Sequence, residues 1–328
     1  MKMKKIVALL LALVMAFSLV ACGNSGGSGE SSEPADRNGD GKVTIAYSAI
    51  GYSIAVLPQY LHDNLKAECE ERGWEFIFLA AEGDAMLQGE QVSQLVQQDP
   101  DYFLMMPADP ALAVDWVNEV NEAGIPCITV HTDVADELAA AHCGPDNYAR
   151  AAALAKELID KHGADAGLKI VEIGGVPVQS DYILRVAGFD EYIKANSNYE
   201  ILGIEWAYSN RADAQGYMEN FISTYGDEID VLMGFDDDLT LGGVNALQAA
   251  GMTDVEVYSI TGQIEAMAAL KAGTMTMTAF YRTALTASNA FDCIEKLAAG
   301  EEIEYFHYTE VPNLTIDNVA DYEAEGEF

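Results

Sequence analysis

Basic residues are scarce in this chain. It has 17 Lys and Arg against 53 Asp and Glu among 328 residues, which gives a formal net charge of −36. Nucleic acids and anionic lipid surfaces are negatively charged, and proteins bind them through clustered Lys and Arg. The composition therefore excludes a nucleic acid partner. The acidic residues are spread along the chain, which is typical of a solvated surface and does not by itself identify a ligand.

Cysteines are also few, and they form no recognisable metal or redox motif. The chain has five, with no C-x-x-C pair and no Cys/His pair at zinc-finger spacing. We therefore expect no metal and no cofactor. Apart from Cys22, the cysteines allow three complete pairings, and the sequence neither selects one nor excludes free thiols. These four are Cys69, Cys127, Cys143 and Cys293.

The usual catalytic motifs are missing as well. The chain contains no G-x-S-x-G, no H-E-x-x-H and no G-x-x-x-x-G-K-[ST]. A binding protein is therefore predicted, and a lipid-anchored hydrolase of unrecognised type is the less favoured alternative. Residues 36–41 match half of a calcium loop, but Tyr47 stands where a bidentate carboxylate is needed. We interpret them as a polar turn, with calcium binding left open.

No hydrophobic run is long enough to suggest a permanent membrane span. The longest, residues 6–20, has 15 residues, whereas a spanning helix needs about 20. It follows a basic start and ends in Leu-Val-Ala-Cys, which resembles the bacterial lipobox. We predict a signal peptide over 1–21 and a lipidated Cys22, with a flexible Gly/Ser-rich linker over 22–42. The protein would then be lipid-anchored at the outer face of the cytoplasmic membrane, in an extracellular or periplasmic location.

Short apolar segments alternate with amphipathic segments from residue 43 onward. This alternation predicts parallel α/β sheets, and the number of strands is too large for one sheet. The predicted fold is two Rossmann-like lobes, each a doubly wound parallel sheet. Strands are predicted at 43–47, 75–80, 102–106, 126–130, 169–173, 200–205, 229–233, 255–259 and 275–280. Helices are predicted at 57–72, 113–120, 147–162, 183–195, 211–225, 239–250, 262–272 and 284–299.

Four segments in order carry a family resemblance. They are GIPCITV at 124–130, GPDN at 144–147, RVAGF at 185–189 and DDDLTLG at 236–242. Over residues 43–311 the chain resembles the type 1 periplasmic sugar-binding proteins, the ribose- and galactose-type receptors of ABC importers. The same fold occurs in sugar-responsive repressors, but those carry an N-terminal DNA-reading module that this sequence replaces with an export signal.

The resemblance implies two lobes joined by a three-segment hinge and closing on a ligand. The N-terminal lobe would comprise 43–145 plus 282–310, and the C-terminal lobe 146–281 plus 311–328. The implied partners are ABC permease and ATPase subunits, and a monomer is expected. One alternative is a receptor that presents its ligand to a membrane sensor kinase. Another is a binding protein for nucleoside-like solutes.

Candidate ligand-binding residues follow the carboxyl ends of predicted strands, where such sheets bind ligands, or align with the pocket of the family. They are Tyr52, His131, Asp133, Asp181, Tyr182, Trp206, Asp236, Thr261 and Tyr281. A packing role is an equal alternative for Tyr52 and for Trp206. Two further acidic residues follow Asp236, and of these Asp238 is the expected helix N-cap.

Several pocket positions depart from the family pattern. His131 replaces the usual carboxylate, Asp236 replaces the usual Asn, and Ile183 stands where a ligand-binding arginine is expected. The basic residues near predicted site loops are Arg185, Arg211 and Arg282. With few donors and several carboxylates, the pocket favours a neutral, donor-rich ligand such as a sugar or polyol.

Overall fold

The computed structural model describes residues 36–53 and 56–322, and twelve strands within these residues form two sheets of six. In chain order the strands are β1 (Thr44–Ala49), β2 (Glu75–Ala80), β3 (Tyr102–Met106), β4 (Cys127–Val130), β5 (Ala141–Gly144), β6 (Lys169–Gly174), β7 (Glu200–Trp206), β8 (Val231–Gly234), β9 (Glu256–Thr261), β10 (Met277–Phe280), β11 (Phe306–Tyr308) and β12 (Asn313–Leu314).

Helices separate most of these strands. They are α1 (Val56–Arg72), α2 (Ala85–Val96), α3 (Ala113–Glu122), α4 (Asn147–His162), α5 (Ser180–Asn196), α6 (Arg211–Tyr225), α7 (Asp237–Ala250), α8 (Ile264–Ala272), α9 (Thr283–Ala298) and α10 (Val319–Tyr322). None of the helices in the described ranges has the length and apolar character needed to span a bilayer.

The first sheet has the strand order β11-β5-β4-β3-β1-β2, and all of its pairings are parallel. Its apolar side chains form two cores, one on each face. One core contains side chains of α1 and α9, and the other contains side chains of α2 and α3. Since both faces are covered, β3 is buried along its whole length, as its uninterrupted apolar sequence predicts. We call this sheet and its helices the N-terminal lobe.

The second sheet has the order β12-β10-β9-β8-β6-β7, in which only β12 is antiparallel to its neighbour. Helices α4 and α5 contribute to the core on one face, and α6, α7 and α8 to the core on the other. We call this the C-terminal lobe. The two lobes confirm the predicted fold class of two parallel α/β sheets.

Close packing of α4 against α5 depends on one glycine. A Cβ atom added to Gly188 would lie 2.2 Å from the carbonyl oxygen of Tyr148, which no real Cβ tolerates. Tyr148 is in the first turn of α4, which is capped by Asp146 through a bond from the backbone N–H of Ala149. The first turn of α4 and the interior of α5 are therefore held in direct backbone contact.

The chain passes between the lobes three times. The passages lie between β5 and α4, between β10 and α9, and between β11 and β12. In each case the chain leaves a sheet at the carboxyl end of a strand. The carboxyl ends of the strands in both sheets therefore lie near these passages, where ligands bind in open α/β sheets.

Candidate functional site

A cluster of buried polar side chains connects the two lobes, and we call it the interlobe cluster. It consists of His131, Arg150, Asp181, Arg185, Asp236 and Tyr281. His131 directly follows β4 in the N-terminal lobe, and its Nε2 lies 4.0 Å from Oδ2 of Asp181 on α5. The ring of Tyr281, directly after β10, is centred 5.1 Å from the His131 ring. Three segments that are distant in sequence therefore meet at one point.

Arg185 is a fully satisfied member of the cluster. Its Nη2 lies 3.2 Å from Asp181 Oδ2, its Nε donates to Asn147 Oδ1 at 3.0 Å, and its Nη1 donates to the Phe235 carbonyl at 2.9 Å. It is also one of the largest fully buried side chains. A buried guanidinium needs such partners. Arg185 therefore positions α4, α5 and the end of β8 relative to one another.

Arg150 is buried but only partly satisfied. Its Nη2 donates to Asn147 Oδ1 at 2.6 Å, whereas Nε and Nη1 have no hydrogen-bond partner among the described residues. Burial lowers its pKa well below the usual value, and the nearby Arg185 lowers it further. Its guanidinium lies 5.8 Å from the centre of the Tyr281 ring. Because buried donors are rarely left without acceptors, Arg150 is well suited to receive ligand oxygens.

Arg150 corrects the expectation drawn from the sequence. The residues considered there as basic groups near the site were Arg185, Arg211 and Arg282, and that set omitted the arginine with free donors. Position 183 lacks the arginine of the family, and Ile183 is 47 % exposed on α5. A guanidinium is thus present in the cluster, but it comes from the neighbouring helix α4.

His131 has unusual backbone and side-chain surroundings. Its φ is +63°, and its backbone N–H donates to the Cys143 carbonyl at 2.9 Å. Burial lowers its pKa well below the usual value, and the positive charges of Arg185 and Arg150 lower it further. The imidazole is therefore neutral at physiological pH, with one donor and one acceptor nitrogen. Its Nδ1 has no partner within the described part of the chain.

Asp236 combines a capping role with a place in the cluster. Its carboxylate accepts from the backbone N–H of Asp238 at 2.9 Å and thus caps α7, while Thr261 Oγ1 lies 3.4 Å from its Oδ2. Burial raises its pKa from 3.8 to about 6, against the opposing effect of Arg185. The expectation that Asp238 caps this helix is wrong, because Asp238 instead accepts from Nε of Arg211 at 2.7 Å.

Asp237 has a structural role in the C-terminal lobe. It is fully buried and accepts bonds from the side chains of Ser259 and Thr278 and from the backbone N–H groups of Gly262 and Gln263. The three adjacent carboxylates therefore have three different sets of partners. Within the described ranges, no group of three or more His, Cys, Asp or Glu side chains is arranged to hold a metal ion.

The turn at 36–41 is organised by one carboxylate. Asp36 accepts from the backbone N–H groups of Gly39, Asp40 and Gly41, at 2.7, 3.2 and 2.6 Å. This is the arrangement of a polar Asx-type turn leading towards β1.

Tyr281 links two of the interlobe passages. Its backbone N–H donates to the Thr261 carbonyl at 2.8 Å, and its hydroxyl donates to Thr286 Oγ1 at 2.9 Å. Thr286 Oγ1 lies 2.7 Å from Thr309 Oγ1, at the third passage. The Tyr281 side chain is fully buried. It thus connects the end of β10, the start of α9 and the residue after β11.

Tyr182 has contacts at the edge of the cluster. Its ring lies against Gly175, where an added Cβ would be 2.1 Å from Tyr182 Cζ, and the Arg185 guanidinium lies 5.0 Å from the ring centre. Trp206 packs in a similar way over Gly174, within the C-terminal lobe. These two glycines follow each other at the end of β6, so bulky rings cover the backbone there.

Two other candidates have their contacts within the N-terminal lobe. Asp133 accepts from Thr129 Oγ1 at 2.7 Å and from the Tyr305 hydroxyl at 2.9 Å. The ring of Tyr52 packs edge-on against His62, with ring centres 4.8 Å apart. Among the sequence candidates, the structure therefore brings together His131, Asp181, Tyr182, Asp236, Thr261 and Tyr281. Asp133 lines a cavity beside His131, whereas Tyr52 and Trp206 have contacts within their own lobes.

A cavity of about 460 Å³ adjoins the interlobe cluster. Its walls come from both lobes and include His131 and Asn147 as well as the apolar side chains of Leu184, Phe306 and Tyr308. This volume is within the range of small-molecule sites. A second cavity, of about 440 Å³, lies at the opposite, amino-terminal ends of β6, β8 and β9 and contains no member of the cluster.

Two α/β lobes with a polar cluster between them define a class of protein, the two-lobed solute receptors. The comparison with known families agrees. The family model for the periplasmic binding protein domain matches residues 45–302, and the chain belongs to this family. Members of the family and the relatives of this chain are solute-binding proteins and not enzymes.

Among characterised relatives, the chain is 25 % identical to the xylitol-binding protein of Mycolicibacterium smegmatis over 317 residues, which cover 96 % of this chain and 86 % of the relative. It is 26 % identical to the ribose import binding protein RbsB of Bacillus subtilis over 306 residues, with 92 % and 96 % covered.

Solved structures give the same result. A solute-binding protein of an ABC transporter from Bacillus halodurans, determined with bound myo-inositol, superimposes with a TM-score of 0.78 at 26 % identity, covering 91 % of this chain and all of that one. A galactofuranose-binding protein superimposes with a TM-score of 0.80 at 21 % identity, covering 87 % of this chain and all of that one, and so supports the fold.

Proposed function

We propose that this protein is the lipid-anchored receptor of an ABC importer and that it binds a neutral sugar or polyol between its lobes. The lobes comprise 43–145 plus 282–310 and 146–281 plus 311–328, with the hinge at the three passages. Ligand would favour the closed form because it contacts both lobes at once. The bound sugar or polyol would then be passed to permease subunits, and ATP hydrolysis would take place in separate ATPase subunits.

The observation that carries this proposal is the set of unsatisfied polar atoms in the interlobe cluster. Nε and Nη1 of Arg150 and Nδ1 of His131 are buried without partners in the described residues. A buried polar atom without a partner costs about 1–3 kcal/mol. Ligand hydroxyl groups would remove this cost, since each hydroxyl both accepts and donates hydrogen bonds.

The charges of the cluster favour a neutral ligand. Arg150 and Arg185 are the cations, Asp181 and Asp236 are the anions, and His131 is neutral because burial lowers its pKa. The two positive and two negative charges of the cluster therefore balance in the absence of ligand. A charged ligand would leave one charge unpaired in a buried site, which is costly. The carboxylates supply acceptors and Arg150 supplies donors, the combination that a polyhydroxylated molecule requires.

The polar core of the proposed site consists of His131, Asp181, Asp236, Thr261 and Tyr281 together with Arg150. Tyr182 would support the ligand from the C-terminal lobe. Tyr52, Asp133 and Trp206 remain proposed pocket residues, and their ligand contacts would form at the outer edge of the site.

The membrane anchor is part of the same proposal. Cys22 and the signal peptide lie outside the described residues, and the motif Leu-Val-Ala-Cys supports the assignment. Cells producing the protein and fed radiolabelled palmitate should label it, and Cys22→Ser should abolish the label. An unlabelled wild-type protein, or a Cys22→Ser protein labelled as strongly as the wild type, would refute lipidation at this cysteine.

Binding is tested by isothermal titration calorimetry with xylitol, ribose, myo-inositol, uridine and an amino acid. We expect saturable binding of at least one sugar or polyol and no binding of the amino acid. Uridine as the sole ligand would instead support the nucleoside alternative. Complete absence of sugar or polyol binding would refute the proposal.

The role of Arg150 is tested with the best ligand of that panel. Arg150→Met removes the two free donors while keeping the length of the side chain. Hydrogen bonds to charged groups contribute about 1.5–3 kcal/mol, so the loss of even one should weaken affinity at least about tenfold. The matched control is Arg72→Met, which removes an arginine that contacts the ring of Trp74, just before β2, and the ring of Phe291 on α9. The control should bind normally, and normal binding by Arg150→Met would remove this residue from the site.

A further inference from the structure

Two buried thiols face each other in the N-terminal lobe. Cys143 lies near the end of β5 and Cys293 lies on α9, and their Sγ atoms are 3.8 Å apart. Their side chains are 0 % and 1 % exposed. Both are free thiols in the structure. A disulfide bond of about 2.05 Å would require the two sulfurs to approach by about 1.8 Å from their present contact.

The remaining cysteines of the described chain are arranged differently. Cys127 lies on β4 and belongs to the core on the opposite face of the sheet from Cys143 and Cys293. Cys69 lies on α1 in the same core as that pair, and burial raises its pKa to about 12. A thiol with so high a pKa provides little thiolate for exchange. The positions of the thiols therefore favour a single bond, Cys143–Cys293, and no complete pairing, because Cys69 and Cys127 lie on opposite faces of the sheet.

We propose that Cys143 and Cys293 form a disulfide bond when the protein meets an oxidising thiol–disulfide couple. The proposal goes beyond solute binding, and only its physiological setting depends on the exported location, because disulfides persist mainly outside the cytoplasm.

The reaction is a double thiol–disulfide exchange. Cys293 reacts first as the thiolate, because its hydrogen bond with Cys143 lowers the pKa of Cys293. The pKa of Cys143 is raised instead. The Cys293 thiolate attacks one sulfur of a small disulfide RSSR, forms a mixed disulfide and releases RS⁻. Cys143 then loses its proton and attacks Cys293 Sγ, and the second RS⁻ leaves. Two electrons and two protons pass to the oxidant, which becomes two RSH.

The bond would join two points of the N-terminal lobe that flank the main segment of the C-terminal lobe in the sequence. Cys143 precedes the first passage between the lobes, and Cys293 follows the second, with 150 positions of sequence separation. The cross-link would therefore close a loop that contains the whole second sheet except β12. Closing so long a loop restricts the unfolded chain strongly, so the oxidised protein should resist unfolding better than the reduced one.

The test uses the full-length chain in mild detergent, without added ligand. One sample is incubated folded with oxidised glutathione and another is refolded from denaturant in the same couple, so that each thiol is accessible. Free thiols are then alkylated under denaturing conditions and mapped by mass spectrometry. We expect the peptides of Cys143 and Cys293 to be joined, with Cys69 and Cys127 alkylated. The midpoint of thermal unfolding should rise by several degrees on oxidation.

Single variants make the test specific. Cys143→Ser and Cys293→Ala should lose both the joined peptides and the oxidant-dependent rise. Cys127→Ser, the matched change on the neighbouring strand β4, should keep both. Alkylation of Cys143 and Cys293 in both oxidised samples, or a cross-link to Cys69, would overturn the proposal. Because no ligand is present, such a result is independent of the proposed transport function.

Discussion

Asp236→Asn should make the protein more stable at neutral pH. The carboxylate of Asp236 is half-buried at the start of α7, and its loss of hydration raises its pKa from 3.8 to about 6. The folded state therefore favours the protonated form. The contribution of Asp236 to stability is therefore fully present below the unfolded pKa of 3.8, and it is lost as the pH rises through the folded pKa of about 6. An asparagine keeps the helix cap and the shape of the side chain but carries no charge.

The magnitude follows from the two pKa values. A change from 3.8 to about 6 corresponds to about 3 kcal/mol above pH 7, since each pKa unit is worth about 1.4 kcal/mol. At pH 4.5, where most of the folded protein is protonated at Asp236, the same relation gives only about 1 kcal/mol. Asp236→Asn should thus exceed the wild type in unfolding free energy by about 3 kcal/mol at pH 7.5 and by about 1 kcal/mol at pH 4.5.

Urea denaturation of both proteins at pH 4.5, 6 and 7.5 measures this difference. The control is Asp84→Asn, because Asp84 caps α2 in the same way, through bonds from Met86 and Leu87 N–H, but at the surface. Its stability difference should stay within about 0.5 kcal/mol at every pH. A difference for Asp236→Asn that is independent of pH, or a variant less stable than the wild type at pH 7.5, would refute the reasoning.

Three further changes test the packing of the lobes by denaturant unfolding. Burial and the neighbouring Asp190 raise the pKa of Glu172 well above normal. Glu172→Gln should therefore raise the unfolding free energy at pH 7.5, and this gain should disappear as the pH falls towards 4. A variant that is less stable than the wild type at pH 7.5 would contradict this. Gly188→Ala should cost about 2 kcal/mol, because its Cβ would collide with the Tyr148 carbonyl, and a neutral effect would refute the contact. Tyr281→Phe should cost about 1 kcal/mol through the lost hydroxyl bond, and unchanged stability would argue against that bond.

The long elements were predictable from the sequence because their apolar periodicity is strong. The helix predicted at 147–162 coincides with α4, and the helix predicted at 211–225 coincides with α6. The strands β5, β11 and β12 were not predicted. β11 and β12 have only three and two residues, too few to establish a period of two, and the four residues of β5, Ala-His-Cys-Gly, contain no apolar run.

Helix α2 was not predicted for a different reason. Two of its four buried positions are glutamines, so its inward face does not read as apolar. Gln88 Nε2 donates to the Met106 carbonyl at 3.0 Å, and Gln91 Nε2 donates to the Ala80 carbonyl at 2.9 Å. The donor groups of these buried amides are satisfied by the ends of β3 and β2. Such pairing depends on the tertiary structure and leaves no periodic signal.

The site was predictable where it follows strands, and also at Asp181 and Tyr182 on α5, where the family resemblance pointed to it. His131, Asp236 and Tyr281 were identified because β4, β8 and β10 end next to them, and the structure brings the first and the last within ring contact. Arg150 was missed because it lies on α4, beyond the GPDN segment at 144–147 and away from any strand end. Its position gives one signal nevertheless. Arg150 lies near the start of α4, where a cation opposes the helix dipole and so does not stabilise the helix.

The four hydrogen bonds accepted by Asp237 have a consequence for the affinity with which a solute is bound. They fasten the loops after β8 and β9 to the interior of one lobe, so Asp236 and Thr261 already stand in place when a solute arrives. The entropy of ordering these loops is lost during folding and not on capture. The C-terminal lobe therefore acts as a preorganised half of the receptor, and association needs to align only whole lobes.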